Sequence, residues 1–377
     1  MSVERVLLLY NQPVLPDGHP DAESERDVLD TVESIHGILS AGGFRVEQFG
    51  VGLELQPLLK RLREDPPDAV FNLFEGLANR PFTETVVAGI LEWFEIPFTG
   101  SPSEGLTLAR NKVRAKLMMR GAGLPTPPFF TVERLPAPKC PLPSWPVIVK
   151  PAAQDASAGI DQESVVTSQS SLESRIAHVL SRYGPALVEQ YVPGREIQVS
   201  LVEARQSASG DRELHALPFA EIEFTDPTIW PIYSYDAKWT PSSKEHHSSP
   251  LHIGVSVPAP WRDRIIETAR AAFQLIGCRD YARVDMRVTA EGEPFILEVN
   301  ANPYLIGFEL IEGLPAIGKS HPEFICDLIW AALGRRNPSC PSLKPKARKP
   351  KPKPIRPVSR RVRPSGARAR GENAETA

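Results

Sequence analysis

Cysteine is scarce and unpatterned. Cys140, Cys278, Cys326 and Cys340 are scattered with no CxxC pair, which argues against a zinc knuckle or a disulfide framework and fits a reducing interior. Long apolar runs are missing too. The run in SVERVLLLYNQP is five residues long with no small-residue cleavage signal after it, and no later stretch approaches about 18 apolar residues. A soluble, cytoplasmic protein with no membrane span is expected. An even charge distribution is also absent, although the net charge is only -3. Residues 337–377 hold 12 Lys and Arg against 2 Asp and Glu, whereas residues 1–336 hold 31 against 44.

What is present bounds the fold. With 377 residues and 41% apolar content the chain can fill two or three lobes. The segment RVLLLYNQP reads as a buried strand, followed by a helix from about Glu23 to Ala41 with Val28, Val32, Ile35 and Leu39 on one face, stopped at Gly42-Gly43. The strand FRVEQFGV, a short helix at LQPLLKRLRE, the strand DAVFNLFEG, a helix at TETVVAGILEWFE and a strand at IPFTG continue the alternation of a parallel α/β domain. Ligands of such sheets bind beyond the carboxyl ends of the strands. Asn11, Asp27, Glu75 and Asn79 are candidates there, each also explicable as a loop cap.

A basic helix ending at Gly121–Gly123 and a proline-rich connection mark a boundary. Beyond it, VIVKP meets a small-residue loop, ALVEQYVPGREIQVSLV gives two strands, and EARQSASGDREL a hairpin. The stretch FTDPTIWPIYSYDAKWTPSSKEHHSSP is expected to lack regular structure, as lids and disordered loops do. A helix from the prolines before Trp261 to Gly277 precedes a closing hairpin, YARVDMRVTAEGEPFILEVN. The basic segment KPKARKPKPKPIRPVSRRVRPSGARARGE has little to bury and is expected to be disordered. It could hold nucleic acid or an acidic surface by counterion release, or rest on the chain's own acidic body.

The chemistry gathers in three places. In the hairpin, Ala282, Val284, Met286 and Val288 alternate with Arg283, Asp285 and Arg287, while Phe295, Leu297 and Val299 alternate with Glu298 and Asn300. Glu298, Asn300 and Asn302 form a row of oxygen-bearing side chains. Asp285, Glu298 and Asn300 could bind Mg²⁺, whose remaining ligands come from water and phosphate; a solvated face with salt bridges is the alternative. Lys150 ends a strand ahead of QDASAG, a loop whose backbone N–H groups can turn toward an anion. Glu189 and Glu196 lie seven residues apart across a turn; one could meet an adenine amino group and the other a ribose hydroxyl, with the Val192 backbone reaching a ring nitrogen.

Taken in order, Lys112, Lys150-Pro151, the DASAG loop, Glu189 with Glu196, Lys238, Asp285 and EVNANP resemble the D-alanine–D-alanine ligase group of ATP-grasp enzymes over about residues 3–332. The resemblance implies an ATP-grasp fold: an open parallel α/β domain (1–103), a small central domain (104–187) and a mixed-sheet C-terminal domain (188–336) with a lid at 224–250, ahead of the tail (337–377). It implies an ATP-dependent carboxylate–amine ligase working through an acyl phosphate. Lys112 and Lys150 would contact ATP phosphates, the Ser157 loop would cover them, and Lys238 would reach them from the lid. Glu189, Val192 and Glu196 would hold adenosine. Asp285, Glu298 and Asn300 would bind two Mg²⁺, with Mn²⁺ as a substitute, and Arg283 would steady the oxyanion. The substrates would be amino acids or peptides, and a homodimer through the first domain is expected.

The substrate end departs from the family. Glu75 stands for a histidine, Asp27 for a glutamate, Ala156 and Trp239 for a serine and a tyrosine, and Tyr304 for a glycine. LIGFELIEGLPAIG replaces the serine-containing segment that meets the second substrate's carboxylate. A substrate pair other than two D-alanines is expected. A nucleotide-binding scaffold acting through its basic tail is the reading from a different class, and the full set of candidate metal ligands argues against it.

Overall fold

Strand β1 (Arg5–Asn11) buries Val6, Leu7, Leu8 and Leu9, as a central parallel strand covered on both faces requires. The computed structural model describes residues 4–16, 22–77, 80, 82–154, 157–205 and 212–336. Helix α1 (Ala22–Ala41) lays Val28, Val32, Ile35 and Leu39 against one face of the sheet. Strands β2 (Arg45–Val51) and β3 (Ala69–Leu73) flank β1 in parallel, in the order β2-β1-β3. Helices α2 (Gln56–Glu64) and α3 (Thr83–Trp93) cover the other face through Leu58, Leu62, Val87 and Leu91.

The strand expected at IPFTG is reduced to a single bridge, Val70 with Phe98. Its carbonyls have other partners: Arg279 and Arg335 donate to Phe98 O, and Arg279 to Gly100 O. The expected single basic helix is two, α4 (Ser103–Arg110) and α5 (Lys112–Gly121). Asn111 divides them, because its side chain accepts from Arg114 N and caps the second.

The second sheet is antiparallel, with β4 (Phe129–Val132), β5 (Val147–Pro151), β6 (Val165–Val166) and β7 (Ala186–Gln190) in the order β4-β7-β5-β6, under helix α6 (Gln169–Arg182). The third sheet is built from β8 (Arg195–Arg205), β9 (Arg212–Ala216), β10 (Ala220–Ile222), β11 (Leu251–Ile253), β12 (Tyr281–Val288) and β13 (Pro294–Asn300). Its order is β11-β10-β8-β12-β13, with β9 on β8 in the expected hairpin, whose tip lies outside the described residues.

The lid stretch is not devoid of structure. It holds two short helices, α7 (Tyr235–Trp239) and α8 (Lys244–His247), capped by Ser234 and Ser243, whose hydroxyls accept from Ala237 N and His246 N. Helix α9 (Ala259–Ile276) then packs on the third sheet and stops at Gly277 with φ 75°, where glycine is favoured. Short α10 (Phe308–Gly313) precedes α11 (His321–Gly334). Although it follows the third sheet in sequence, α11 returns to the first, and its Phe324, Ile325, Leu328 and Ile329 share a core with Val6, Leu8 and Phe71. Among the described residues no helix is long and apolar enough to cross a membrane.

The β12–β13 alternation is broken. The register slips between Asp285, opposite Glu298, and Met286, opposite Ile296, so that Leu297 is the extra residue of a bulge. Ile296 and Val299 are the core residues, instead of the expected Phe295, Leu297 and Val299, and Leu297 lines the cleft beside Glu298.

Asp280 straps the lobes together. Fully buried at φ 65°, it accepts from Gly100 N at 2.9 Å, from both Arg335 terminal nitrogens at 2.7 and 2.9 Å, and from Arg212 at 3.4 Å. Asn302 belongs to the same seam: its Oδ1 accepts from Ser101 N, so it leaves the expected row of cleft oxygens. Asp280→Ala removes the one fully buried carboxylate that Gly100 N, Arg212 and Arg335 share, and is expected to destabilise the protein by about 3–5 kcal/mol in urea unfolding at neutral pH. A loss below about 1 kcal/mol, the range of an exposed ion pair, would contradict the strap.

Candidate active site

The second and third sheets and helix α5 enclose a cleft of about 1010 Å³, counted with its open mouth. At its floor lies Glu189 of β7, with 1% of its side chain exposed. Lys116 Nζ from α5 stands 2.6 Å from one carboxylate oxygen and Lys150 Nζ from β5 stands 2.7 Å from the other. Burial would raise the Glu189 carboxyl, but the two ammonium groups outweigh it and hold it at about 2. Lys116, itself buried, also donates to Thr126 Oγ1 and Ile296 O, which fixes it in place. Burial lowers its ammonium value, and Glu189 opposes that.

The turn after β7 carries the next group. Gly194 adopts φ 135°, and a Cβ there would collide with the Val288 carbonyl, so the seven-residue spacing of Glu189 and Glu196 depends on a glycine. Arg287 of β12 gathers the turn: Nε donates to Val192 O, Nη1 to Glu196 Oε2 and Pro231 O, and Nη2 to Tyr191 Oη. Val192 keeps an N–H that has no protein partner among the described residues. Burial raises the Glu196 carboxyl, with Arg287 opposing.

On the hairpin, antiparallel pairing sets Asp285 opposite Glu298 and Arg283 opposite Asn300. Arg283 forks onto Asp285 at 2.7 and 3.0 Å, and Asn300 Nδ2 donates to Asp285 Oδ2 at 3.1 Å. Lys112 Nζ sits 2.7 Å from Glu298 Oε2. That lysine, ahead of the burial that opposes it, holds the Glu298 carboxyl at about 2. Burial would lower the Arg283 value, but Asp285 and Glu309 drive it above the ordinary arginine range. Among the described residues no three His, Cys, Asp or Glu side chains converge as a self-sufficient metal cage. Two carboxylates, one firmly ionised, and an amide oxygen on adjacent strands instead suit a hard divalent cation whose shell is completed by phosphate.

Loop and lid meet at Ser157, a non-glycine residue at φ 61°, whose Oγ donates to Tyr233 O at 2.9 Å. Trp230 packs edge-on to Tyr191. Lys238 of α7 faces the cleft with its Nζ 5.2 Å from the Trp239 ring centroid. Burial and then Arg283 lower its ammonium value, against Glu298 and Asp285. His246 Nδ1 lies 2.9 Å from Ala237 O, under the helix that carries Lys238. At the substrate end, Asn11 Oδ1 accepts from Glu75 N, a loop-capping role. The Glu75 side chain reaches solvent but stands on concave ground, where burial raises its carboxyl against Arg110 and Lys238. Tyr304 and Trp239 are exposed. The Asp27 side chain, Asn79 and Ala156 lie outside the described residues.

The structure thus brings Lys112, Lys150, Ser157, Glu189, Val192, Glu196, Lys238, Arg283, Asp285 and Glu298 to one cleft, with Asn300 bonded at its edge and Glu75 in an adjoining recess. Sequence reasoning missed three functional neighbours. Lys116 follows Lys112 by four residues, the spacing that puts two side chains on one helix face. Arg287 continues the alternation of Arg283 and Asp285. Glu309, which pairs with Arg283 from 26 residues away, left no signal.

Known proteins resemble this chain in sequence and in fold. The family described as D-ala D-ala ligase C-terminus matches residues 118–328. A D-alanine–D-alanine ligase of Pelotomaculum thermopropionicum is 30% identical over 322 residues, covering 82% of this chain and 93% of that one. An uncharacterised Sinorhizobium fredii protein, y4sG, is 35% identical over 248 residues, 64% of this chain and 69% of that one. The Bacillus anthracis D-alanine–D-alanine ligase complexed with ATP superposes with a TM-score of 0.64 at 20% identity, over 89% of this chain and 99% of that one, which shows the shared fold.

Carboxylates whose folded values are depressed stabilise above their ordinary value of 4.5 and lose that contribution as pH falls through the folded value of about 2. Unfolding on acidification is therefore expected to set in between these limits. Lys116→Met leaves Glu189 with half its compensation, so it is expected to cost about 3 kcal/mol at neutral pH and to move the acid midpoint upward. Circular dichroism against pH checks this, and an unmoved midpoint would contradict it.

Proposed function

We propose a specific reaction on the premise that this chain belongs to the D-alanine–D-alanine ligase family and is an ATP-dependent ligase forming carbon–nitrogen bonds. A substrate carboxylate oxygen attacks the γ-phosphorus of ATP, the bond to the β–γ bridging oxygen breaks, and ADP leaves. An amine nitrogen then attacks the acyl-phosphate carbon, the bond from that carbon to the phosphate oxygen breaks, phosphate departs and the amine proton passes to solvent. Such a reaction asks the protein for positioning and charge more than for a nucleophile.

Lys112, Lys150 and Lys238 supply positive charge to the triphosphate, and the Ser157 loop covers it. The unpartnered Val192 N–H suits an adenine ring nitrogen, Glu196 the ribose, and Glu189 the adenine amino group while it fixes Lys150. Mg²⁺ ions held by Asp285, Glu298 and Asn300 would neutralise phosphate charge. Arg283 steadies the oxyanion, to which the Tyr304 N–H is a second donor. Asp27 and Glu75 serve the substrate amine. The observation that carries the reading is the ring of ionised carboxylates and ammonium groups around one cleft: Glu189 with Lys116 and Lys150, and Glu298 with Lys112.

The substrate pair is other than two D-alanines, a reading supported by Glu75, Trp239 and Tyr304 at positions where the family differs. The exposed stripe of Phe82, Val86 and Trp93 on and before α3 supports a homodimer through the first domain, and the basic tail supports contact with polyanions.

Glu298→Ala is expected to lower turnover on the order of 10²–10³-fold, measured as ADP release with ATP over pairs of amino acids; unchanged turnover would overturn the assignment. D-Alanine alone, turned over at ordinary ligase rates, would overturn the altered specificity. Deleting residues 337–377 is expected to abolish retention on heparin while leaving turnover intact, and a retained, equally salt-resistant protein would dismiss the tail as the polyanion site.

A further inference from the structure

Every guanidinium nitrogen of Arg283 is already engaged by a protein carboxylate. Nε and Nη2 bond both oxygens of Asp285, and Nη1 reaches Glu309 Oε1 at 3.4 Å. Glu309 lies in the first turn of α10 with 13% of its side chain exposed, tucked back over Gly307. The other cations of the cleft are matched in the same way. Lys112 faces Glu298, Lys116 and Lys150 share Glu189, and Arg287 holds Glu196. Lys238 has no carboxylate within ion-pair distance among the described residues.

Charge balance then restricts what else can enter. Of the four lysines that line the cleft, Lys116 is buried against Glu189, and a triphosphate draws on the other three, Lys112, Lys150 and Lys238. Were Asp285 to turn to a cation, Arg283 Nε and Nη2 would be released to the oxyanion, while Glu309 on Nη1 would still neutralise the guanidinium charge. A second substrate with a carboxylate next to its amine would therefore find no uncommitted cation among the described residues of the cleft, and would set that carboxylate against Glu309 in a partly desolvated site. Like charges so placed are strongly disfavoured.

We propose that the amine substrate carries no carboxylate beside its amine, being an amino-acid amide, a diamine or the N-terminus of a longer peptide, and that Glu309 enforces this choice. The inference rests on the ligase reading and narrows its second substrate. It leaves the donor unrestricted, since that substrate must present a carboxylate to ATP.

A competition tests it. The full chain is incubated with ATP, Mg²⁺ and equimolar amounts of an amino acid and its own amide, across the amino acids and both hands, and products are read by mass spectrometry. The amino acid is the donor in either case, so the ratio of dipeptide amide to free dipeptide reports the acceptor alone. The amide product is expected to exceed the free dipeptide by roughly tenfold or more, the scale of a single unfavourable charge contact. Glu309→Gln and Glu309→Ala are expected to shift the ratio about tenfold toward the free dipeptide, and Glu309→Asp to keep the wild-type ratio. Equal products from the wild type, or a ratio that the neutral variants leave unmoved, overturns the proposal. Folding is controlled by thermal unfolding of each variant, and the wild-type ratio stands without them. Failure of the parent reading looks different: no product from any pair, although AMP-PNP with Mg²⁺ binds, removes the ligase reading and this inference together.

Discussion

Two ammonium groups within 2.7 Å of one buried carboxylate set the terms for the rest of the cleft. A site that binds several phosphates needs concentrated positive charge, and in a low-dielectric setting that charge repels itself strongly before any anion arrives. Glu189 resolves the conflict at the floor, tying α5, β5 and β7 to one point. Glu298 does the same for Lys112, Asp285 for Arg283 and Glu196 for Arg287. Removing a partner from any of these pairs exposes the other to an uncompensated interior, so the network holds its geometry only as a whole.

Much of this was readable beforehand because local rules carried it. Apolar runs of strand length, the prolines at a helix start and the glycine at its end located most elements, and period-two alternation placed Arg283, Asp285 and Arg287 on one face. What escaped depended on partners distant in sequence. The strand at IPFTG failed because two arginines from elsewhere claim its carbonyls. The alternation through Leu297 failed because a bulge inserts a residue, and nothing in FILEVN announces one. Glu309 was invisible for the same reason: only the folded chain shows that a residue of α10 reaches a strand of the hairpin. At the substrate end, family-like spacing persisted while side-chain types changed, so the nucleotide half was far more legible than the half that chooses what is joined.

The bulge and the strap are complementary devices. The slip after Asp285 turns Leu297 and Glu298 toward the cleft in succession, placing an apolar surface beside an acid. A few residues later, Ala301 and Asn302 bond Ser101 of the first lobe. One strand thus ends in the candidate cleft and in the seam between lobes, and a short, well-bonded stretch of backbone joins the seam to Glu298.

The return of α11 to the first sheet also governs how the molecule is made. The face of β1 and β3 that receives Phe324, Leu328 and Ile329 is covered only in part, by α1, while the intervening lobes are synthesised. The first sheet of this chain is thus completed only by its last described helix, the reverse of the usual N-terminal-first order. Until that helix is made, the apolar face of this sheet depends on α1 alone for cover.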